Sequence, residues 1–383
     1  MSAVNKFKPY YPPSLSGKTV VVGLSGGVDS SVCAALLKEQ GATVIGLFMK
    51  NWEELDENGV CQSSIEFKDV QLVCEKLDIP YYSIDFVKEY QENVFSEFLE
   101  GYKAGHTPNP DILCNREIKF NVFFKHAMDL GADYLATGHY CQIGKSDENE
   151  YCLLKGVDAN KDQSYFLGAI NGEVLSRALF PIGHIEKTMV REMAKKYDLV
   201  TKAKKDSTGI CFIGERNFRP FLSKYLAPKP GAFIELDSNE TVGSHQGAQF
   251  YTIGQRKGLG LGGQGKPWFV VSKDIDKNIV YVVRGDSHPS LYVDHATVER
   301  FQFIGRNIDL NGQRDLKVKL RYRQEDQACT ATLGPNNMLH LKFDRPQRAV
   351  TVGQSAALYL YDECLGQGTL FSAGDSNRPL STL

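Results

Sequence analysis

The stretch KTVVVGLSGGVDSS, residues 18–31, decides the fold of the first half of the chain. Residues 18–24 form a continuous, mostly β-branched apolar run, which predicts a strand buried on both faces. A turn with paired glycines follows over 25–28, and the pattern over 29–40 predicts a helix. Paired glycines let backbone N–H groups approach an anion, and the start of the next helix adds a favourable dipole. We therefore predict a strand–loop–helix unit that can bind an anionic group.

Strand and helix patterns continue to alternate after this unit. Further strands are predicted over 42–49, 80–85 and 133–137, and further helices over 64–77, 88–102, 116–130 and 187–197. Such alternation predicts a parallel sheet with helices on both faces. Later residues are rich in glycine and short strands, and the last part shows only short alternating stretches, which predict a small β-barrel or sandwich. The predicted domains are an α/β domain over 1–215, a small mixed or β domain over 216–290 and a C-terminal β-barrel over 291–383.

Composition is typical of a soluble globular protein. The chain has 383 residues, of which 42% are hydrophobic and 23% charged, and 44 Lys and Arg stand against 46 Asp and Glu. No apolar run reaches the roughly 20 residues of a membrane-spanning helix, and the N-terminus lacks a secretory signal, so we expect a cytoplasmic protein without membrane contact. The nine cysteines form no CxxC pair. This argues against a zinc site and a disulfide framework, and no metal-binding residue is predicted.

Charge is unevenly distributed along the chain. Residues 51–100 carry 13 acidic and 3 basic side chains. Residues 201–230 carry 7 basic and 2 acidic side chains, and residues 301–350 carry 9 basic and 5 acidic ones. Basic segments can bind a polyanion locally even when the whole chain is near neutral. Solvated surface charge is the alternative interpretation.

A cysteine follows two prolines in the segment TPNPDILCNREIKF, residues 107–120. Asn115 is a candidate N-cap for the helix that follows, which would place Cys114 at a helix N-terminus beside Arg116. Both features lower the pKa of a thiol and favour the reactive thiolate. Asp111 could exchange protons with a substrate held there. A buried structural cysteine is the alternative.

A second cysteine, Cys211, lies in the glycine-flanked segment DSTGICFIG, residues 206–214. The nearby basic cluster of Lys202, Lys204 and Lys205 would again favour the thiolate. Two candidate reactive cysteines together with an anion-binding loop predict sulfur chemistry. One cysteine would carry a persulfide, and the other would attack it to release sulfide, which leaves a transient disulfide.

The loop motif SGGVDS, residues 25–30, resembles the pyrophosphate-binding loop of ATP pyrophosphatases, which split ATP between the α and β phosphates. The loop contains no Gly-Lys-Ser/Thr, so the Walker lysine that binds the β and γ phosphates is missing from it. Enzymes of this kind attach AMP to a carbonyl oxygen, and the adenylate then leaves when a nucleophile attacks. The loop therefore predicts that an oxygen is activated, and it does not identify the nucleophile.

The chain as a whole resembles the bacterial-type tRNA-specific 2-thiouridylases, which belong to the PP-loop superfamily of ATP pyrophosphatases. The motifs that carry this resemblance follow one another along nearly the whole chain: GLSGGVDSS (23–31), FMKNW (48–52), NPDILCN (109–115), ATGHY (136–140), KDQSYFL (161–167), STGICFIG (207–214), YTIGQRKGLG (251–260) and LRYRQ (320–324). The resemblance implies an adenine nucleotide alpha hydrolase-like α/β domain and two later domains that contact tRNA. It also implies an enzyme that uses ATP, with Mg²⁺ on its phosphates, to replace the 2-oxygen of the wobble uridine in tRNA by sulfur.

The resemblance assigns roles to individual residues. The ATP-binding positions would be Gly23, Leu24, Ser25, Gly26, Gly27, Val28, Asp29, Ser30, Met49 and Gly138. The tRNA-binding positions would be Asn109, Pro110, Asp111, His139, Lys161, Asp162, Gln163, Arg321, Tyr322 and Gln354. Cys114 would be the nucleophile, Cys211 would carry the persulfide, and Asp111 would act as the acid or base.

Alternatives remain for some residues and for the activity. His139 follows a predicted strand and would ordinarily belong to a turn. Arg321 and Arg323 alternate along a predicted strand, and that face could be exposed to solvent instead of contacting RNA phosphates. The chain could be another ATP pyrophosphatase that delivers nitrogen, such as an amidotransferase, or a non-catalytic tRNA-binding protein. The sulfur donor would be a persulfide relay protein or a cysteine desulfurase.

Overall fold

The structure, a computed structural model, describes residues 7–54, 59, 61–205 and 218–374. The strands of its first half are β1 (Lys8–Tyr10), β2 (Thr19–Leu24), β3 (Thr43–Lys50), β4 (Tyr81–Asp85), β5 (Tyr134–Ala136), β6 (Cys141–Lys145), β7 (Tyr151–Lys155) and β8 (Ala178–Leu179). Five of them form one parallel sheet in the order β4-β3-β2-β5-β8. The strand order therefore reverses at β2, and sheets of this kind bind ligands at the carboxyl ends of the strands beside such a reversal.

Helices cover both faces of this sheet, as the sequence predicts. The helices are α1 (Val28–Glu39), α2 (Gln62–Leu77), α3 (Val87–Tyr90), α4 (Ser96–Lys103), α5 (Pro110–Leu113), α6 (Phe123–Asp129), α7 (Ser164–Leu167), α8 (Lys187–Lys196) and α9 (Phe218–Ser223). Two π-helical segments, Gln91–Phe95 and Cys114–Val122, join α3 to α4 and α5 to α6. Val20 and Val22 of β2 share a buried core with α1, α2 and α8, whereas Val21 shares the opposite core with helices α3 to α6.

The second half of the chain builds two further sheets. Its strands are β9 (Gly231–Glu235), β10 (Thr241–His245), β11 (Trp268–Asp274), β12 (Ile279–Arg284), β13 (Tyr292–Phe303), β14 (Leu316–Lys319), β15 (Gln327–Leu333), β16 (Leu339–Arg348), β17 (Ser355–Leu360) and β18 (Glu363–Gly374). The first four form a small mixed sheet in the order β10-β9-β12-β11. The last six form a ring, β18-β13-β16-β15-β14-β17, which the β17–β18 pairing closes, so the predicted C-terminal β-barrel is confirmed.

The barrel is joined to the α/β domain by a continuous sheet. Strand β7 pairs with β18 at Leu154 and Glu363, β6 pairs with β7, and β1 pairs with β6. The buried Lys319 ammonium of the barrel lies 3.0 Å from the buried Asp162 carboxylate of the α/β domain. These contacts hold one side of the barrel close to the carboxyl edge of the parallel sheet. The predicted boundary at residue 215 lies outside the described residues and stays a prediction. None of the helices described here has both the length and the apolarity needed to cross a membrane.

Candidate active site

The glycine loop ends β2 and begins α1, and its shape requires glycine. The Ser25 backbone N–H donates to Ser30 Oγ at 3.2 Å. Gly26 has a φ of +69°, and a Cβ atom there would lie 2.6 Å from the Glu66 carbonyl oxygen. Gly27 is the N-cap of α1, and no side chain caps the helix there. The first N–H groups of α1 can therefore bind an anion.

Two other predicted nucleotide-binding residues lie at the same edge of the sheet. Gly138 follows β5, and a Cβ atom there would lie 2.9 Å from the backbone nitrogen of Ser30. Met49 is half-buried near the end of β3. Because β3, β2 and β5 are neighbours, their carboxyl ends and the glycine loop form one crevice, where ligands bind in sheets of this type.

Asp29, in the first turn of α1, is held by two side chains that sequence reasoning missed. The Lys187 ammonium lies 2.7 and 2.8 Å from its two carboxylate oxygens, and the Tyr140 hydroxyl donates to Oδ1 at 2.8 Å. Tyr140 is the last residue of the motif ATGHY, which also contains the predicted nucleotide-binding residue Gly138. The motif is therefore a signal by which Tyr140 could be found. Lys187 is the first residue of a predicted helix, and no motif distinguishes it.

A second lysine contacts the loop from another side. Lys204 Nζ donates to the Gly26 carbonyl at 2.9 Å and lies 2.7 Å from Asp69 Oδ2. The sequence predicts this lysine near Cys211, and in the structure its ammonium group contacts the glycine loop. Both lysines at the loop are therefore paired with carboxylates, Lys187 with Asp29 and Lys204 with Asp69.

Cys114 lies inside a helix, so the prediction that it occupies a helix N-terminus is wrong. The helix begins at Pro110, and Asn109 is its N-cap, with Oδ1 accepting from the backbone N–H groups of Asp111 and Ile112 at 3.1 and 3.4 Å. Proline is favoured at the first position of a helix, which selects Asn109 over the predicted Asn115. The Asn115 side chain instead donates to the Phe166 carbonyl at 3.0 Å.

The chemistry of Cys114 follows from this position. Its side chain is fully buried, and burial raises the pKa of the thiol to about 11, with the Asp111 charge adding to the rise and Lys119 opposing it. The predicted low-pKa thiolate is therefore wrong for this arrangement of the chain. Asn51 Nδ2 lies 3.8 Å from the sulfur, and the buried Asn51 Oδ1 has no hydrogen-bond partner among the residues that the structure describes.

We expect alkylation of Cys114 by iodoacetamide to be slow in the free protein. At about pH 8, a thiol with a pKa of about 11 carries roughly 100-fold less thiolate than an ordinary cysteine, and only the thiolate reacts. The rate should rise as the pH approaches 11, because the thiol then loses its proton. Peptide mass spectrometry measures the labelling of each cysteine. Cys61, which is half-exposed, is the internal control, and equal rates at both residues would contradict the prediction.

The partner cysteine proposed from the sequence, Cys211, lies outside the described residues. Its distance from Cys114 and a disulfide between the two therefore stay predictions. The eight cysteines of the described ranges are all free thiols.

The predicted tRNA-contacting segment, residues 161–163, is anchored from both sides. Asp162 is buried, and it accepts from the Ser164 hydroxyl at 3.1 Å and from the Lys319 ammonium at 3.0 Å. Gln163 Oε1 accepts from the Tyr140 backbone N–H at 2.9 Å. Lys161 and Gln163 are half-buried. RNA contact by this segment stays a prediction, and the Asp162 side chain is not exposed for it.

His139 lies in the interior. Its Nδ1 is 2.8 Å from Thr137 Oγ1, and its ring packs against those of Phe120 and Phe180. Burial holds the pKa of the imidazole well below its usual range, so the ring is neutral at pH 7. It offers no positive charge to a phosphate, and a contact between His139 and RNA stays a prediction.

Three of the predicted tRNA-binding residues, Arg321, Tyr322 and Gln354, belong to the last domain. Strand β14 ends at Lys319, so the expected alternation of Arg321 and Arg323 along a strand is wrong. The half-buried Arg321 guanidinium donates to the Ala349 carbonyl oxygen. The Tyr322 ring centroid lies 4.4 Å from that of Phe166, and the Tyr322 hydroxyl donates to the Lys161 carbonyl at 3.3 Å. The Gln354 side-chain amide donates to the Thr107 carbonyl.

These contacts bring most of the predicted site together. The barrel reaches residues 161–163 through Tyr322 and Lys319, and it reaches the segment before Cys114 through Gln354. Residues 161–163 in turn contact Tyr140, which binds Asp29 of the glycine loop. The described residues include no group of three or more His, Cys, Asp or Glu side chains arranged to hold a metal.

Three family models match successive parts of the chain. They are a tRNA methyl transferase HUP domain over 18–215, a tRNA methyl transferase PRC-barrel domain over 219–284 and an aminomethyltransferase beta-barrel domain over 293–370.

Curated relatives match the chain over nearly its whole length. The tRNA-specific 2-thiouridylase MnmA of Protochlamydia amoebophila (strain UWE25) is 54% identical over 357 residues, which cover 93% of this chain and 94% of that protein. The MnmA of Alkaliphilus oremlandii (strain OhILAs) is 54% identical over 353 residues, which cover 92% of this chain and 96% of that protein. The MnmA of Bacillus subtilis (strain 168) is 52% identical over 351 residues, which cover 92% of this chain and 94% of that protein. Since these identities extend through the glycine-loop domain and both later domains, the chain belongs to the family of tRNA-specific 2-thiouridylases.

Proposed function

We propose that this chain is a tRNA-uridine 2-sulfurtransferase. It uses ATP to replace the 2-oxygen of the wobble uridine by sulfur, and it forms 2-thiouridine, AMP and pyrophosphate. The observation that carries the proposal is its identity of 52–54% to tRNA-specific 2-thiouridylases over more than nine-tenths of the chain. The glycine loop at the strand-order reversal supports the ATP-dependent step.

The first step activates the uridine oxygen. The glycine loop and the start of α1 hold the phosphates of ATP through backbone N–H groups, and the Ser25 and Ser30 hydroxyls lie beside them. Gly26 and Gly138 let the loop pack closely against the backbone of Glu66 and of Ser30, which fixes its shape. The uridine 2-oxygen attacks the α phosphorus, a new O–P bond forms, and the bond to pyrophosphate breaks. The oxygen can then leave the base as AMP.

Mg²⁺ fits this loop together with the nucleotide. Asp29 supplies a carboxylate, and Mg²⁺ is commonly held by one or two carboxylates and the phosphates of a substrate. Asp29 and the phosphate oxygens would hold the ion, which would neutralise charge on the leaving pyrophosphate. Lys187 and Lys204 contribute positive charge to the same place.

The second step delivers sulfur through Cys211 and Cys114. A donor protein, either a persulfide relay protein or a cysteine desulfurase, places a sulfur atom on Cys211 as a persulfide. The Cys114 thiol attacks the Cys211 sulfur, so a Cys114–Cys211 disulfide forms and the persulfide S–S bond breaks; the departing sulfur takes up the thiol proton and leaves as hydrogen sulfide, which ionises to hydrosulfide. Hydrosulfide attacks carbon 2 of the activated uridine, and AMP leaves. A thiol reductant then restores both cysteines.

Residues around these cysteines and the barrel would receive the RNA. The target base must be splayed out of its stack to reach such a site. Asn109, Pro110 and Asp111 lie one helical turn before Cys114 and would meet the base, with Asp111 exchanging protons. Lys161, Gln163, Arg321, Tyr322 and Gln354 would contact the tRNA. The buried Asp162 and His139 would act by holding their neighbours in place. We propose a cytoplasmic location, where tRNA and ATP are both present.

Incubation of the full chain with tRNA, ATP, Mg²⁺ and a persulfide donor tests this function. Nucleoside mass spectrometry should detect 2-thiouridine, and AMP and pyrophosphate should form in the same molar amount. AMP formation without 2-thiouridine would point to an ATP pyrophosphatase of another kind. The absence of AMP would point to a non-catalytic tRNA-binding protein, and either result would overturn the proposal.

A further inference from the structure

One turn of the chain, residues 158–163, is built around the carboxylate and carbonyl of Asp158. The Asp158 carbonyl accepts from the backbone N–H groups of Lys161 and Asp162 at 3.0 and 2.8 Å. Its carboxylate accepts from the Asn160 N–H at 3.0 Å and from the Lys187 N–H at 3.0 Å. The turn is therefore fixed in shape and bonded to the first residue of α8.

Two connections lead from this turn to the same loop carboxylate. In the first, Asp158 holds the Lys187 backbone, and the Lys187 ammonium lies 2.7 Å from Asp29 Oδ1. In the second, Gln163 Oε1 accepts from the Tyr140 N–H at 2.9 Å, and the Tyr140 hydroxyl donates to Asp29 Oδ1 at 2.8 Å. Both connections end on the one carboxylate of the glycine loop, although they approach it from different elements.

The turn is also bonded to the barrel. Asp162 and Lys319 form a buried ion pair at 3.0 Å, and the Tyr322 hydroxyl donates to the Lys161 carbonyl at 3.3 Å. Lys319 also lies 3.8 Å from Asp326. A ligand that contacts residues 158–163 and Tyr322 would therefore bind a segment that is bonded to the barrel on one side and connected to Asp29 on the other.

We propose that Tyr140 and Lys187 are positioning residues that couple RNA on the 158–163 turn to ATP on the glycine loop. This inference rests on the proposed function. RNA seated on the turn stabilises the arrangement in which Asp29 is neutralised and its oxygens are fixed. The loop is then preorganised for the phosphates. ATP and tRNA therefore bind with positive cooperativity, and each raises the affinity of the other by the same factor.

The test measures the affinity for an ATP analogue whose α–β bridge cannot be cleaved, with and without saturating tRNA. In the wild-type chain we expect tRNA to lower the Kd of the analogue about 5-fold or more. In Tyr140→Phe, which lacks only the hydroxyl, this factor should fall about 3-fold or more, whatever the change in the Kd measured without tRNA. Reciprocal titration of tRNA with and without the analogue must give the same factors. A purely structural role for Tyr140 would leave these ratios unchanged.

Tyr197→Phe is the matched control. The Tyr197 hydroxyl donates to Glu39, so this tyrosine hydroxyl also bonds a carboxylate of α1, but at the end of the helix far from the loop. This variant should keep the wild-type coupling. Asp158→Asn tests the other connection, because an amide has one acceptor oxygen for two N–H groups, and it should also lower the coupling. The inference is overturned, and the proposed function is not, if the wild-type chain makes 2-thiouridine but shows no coupling between tRNA and the ATP analogue. The same holds if Tyr140→Phe keeps the full coupling. A wild-type chain that makes no 2-thiouridine overturns the proposed function.

Discussion

Replacing Cys114 by serine is expected to lower the formation of 2-thiouridine by a factor on the order of 10³ or more, because a serine hydroxyl cannot attack a persulfide to form a disulfide. The substitution leaves the glycine loop, Lys187 and Lys204 intact, so the adenylation machinery remains. Sulfur should therefore accumulate on Cys211 after incubation with a donor. Mass spectrometry of the peptide that contains Cys211 should find one added sulfur atom, and nucleoside analysis should find no 2-thiouridine.

The control for this variant is a second buried cysteine that lies in the barrel. Cys329 is 5% exposed in β15, and burial raises the pKa of its thiol to about 12, so Cys329→Ser imposes a comparable change in a comparable environment. It should retain thiolation. Near-normal thiolation by Cys114→Ser would exclude Cys114 as the nucleophile. Loss of thiolation in both variants would show that the effect is one of folding, which circular dichroism would detect.

The elements near the glycine loop could be predicted because their signals are local. The apolar run before the loop, the paired glycines and the amphipathic stretch after it each act within a few residues, and β2 and α1 lie where the pattern placed them. The position of Cys114 was mispredicted although its signal is also local. Two asparagines, Asn109 and Asn115, precede helical residues, and only Pro110 distinguishes the true N-cap.

The contacts of the site could not be predicted because they join distant parts of the chain. Asp29 lies 111 positions from Tyr140 and 158 positions from Lys187, and no spacing rule relates them. The burial of Asp162 likewise depends on Lys319 and on the barrel, which closes only when β17 pairs with β18. A motif match can indicate that such residues matter, but it cannot distinguish a residue that touches RNA from one that holds its neighbour.

Replacing Gly26 by alanine is expected to lower ATP-dependent activity about 100-fold. The residue has a φ of +69°, which costs an L-residue roughly 1–2 kcal/mol, and the new Cβ would lie 2.6 Å from the Glu66 carbonyl oxygen. Since that oxygen belongs to the backbone of α2, the loop must move away from it. A displacement of about 1 Å at a site that positions reacting groups can cost about 10²-fold in rate. AMP release with saturating tRNA, together with ATP affinity from calorimetry, measures the loss.

Gly312→Ala separates the two causes of the expected loss of activity, backbone strain and the collision with the Glu66 carbonyl oxygen. Gly312 has a φ of +70°, nearly that of Gly26, but nothing lies within 4 Å of its Cβ position. Both variants therefore carry the strain of a left-handed backbone, and only Gly26→Ala carries the collision with α2. We expect Gly312→Ala to be less stable to heat than the wild type and fully active. Wild-type ATP affinity and AMP release in Gly26→Ala would mean that the loop tolerates a Cβ at this position, and the close approach of α2 would then have no part in holding the phosphates.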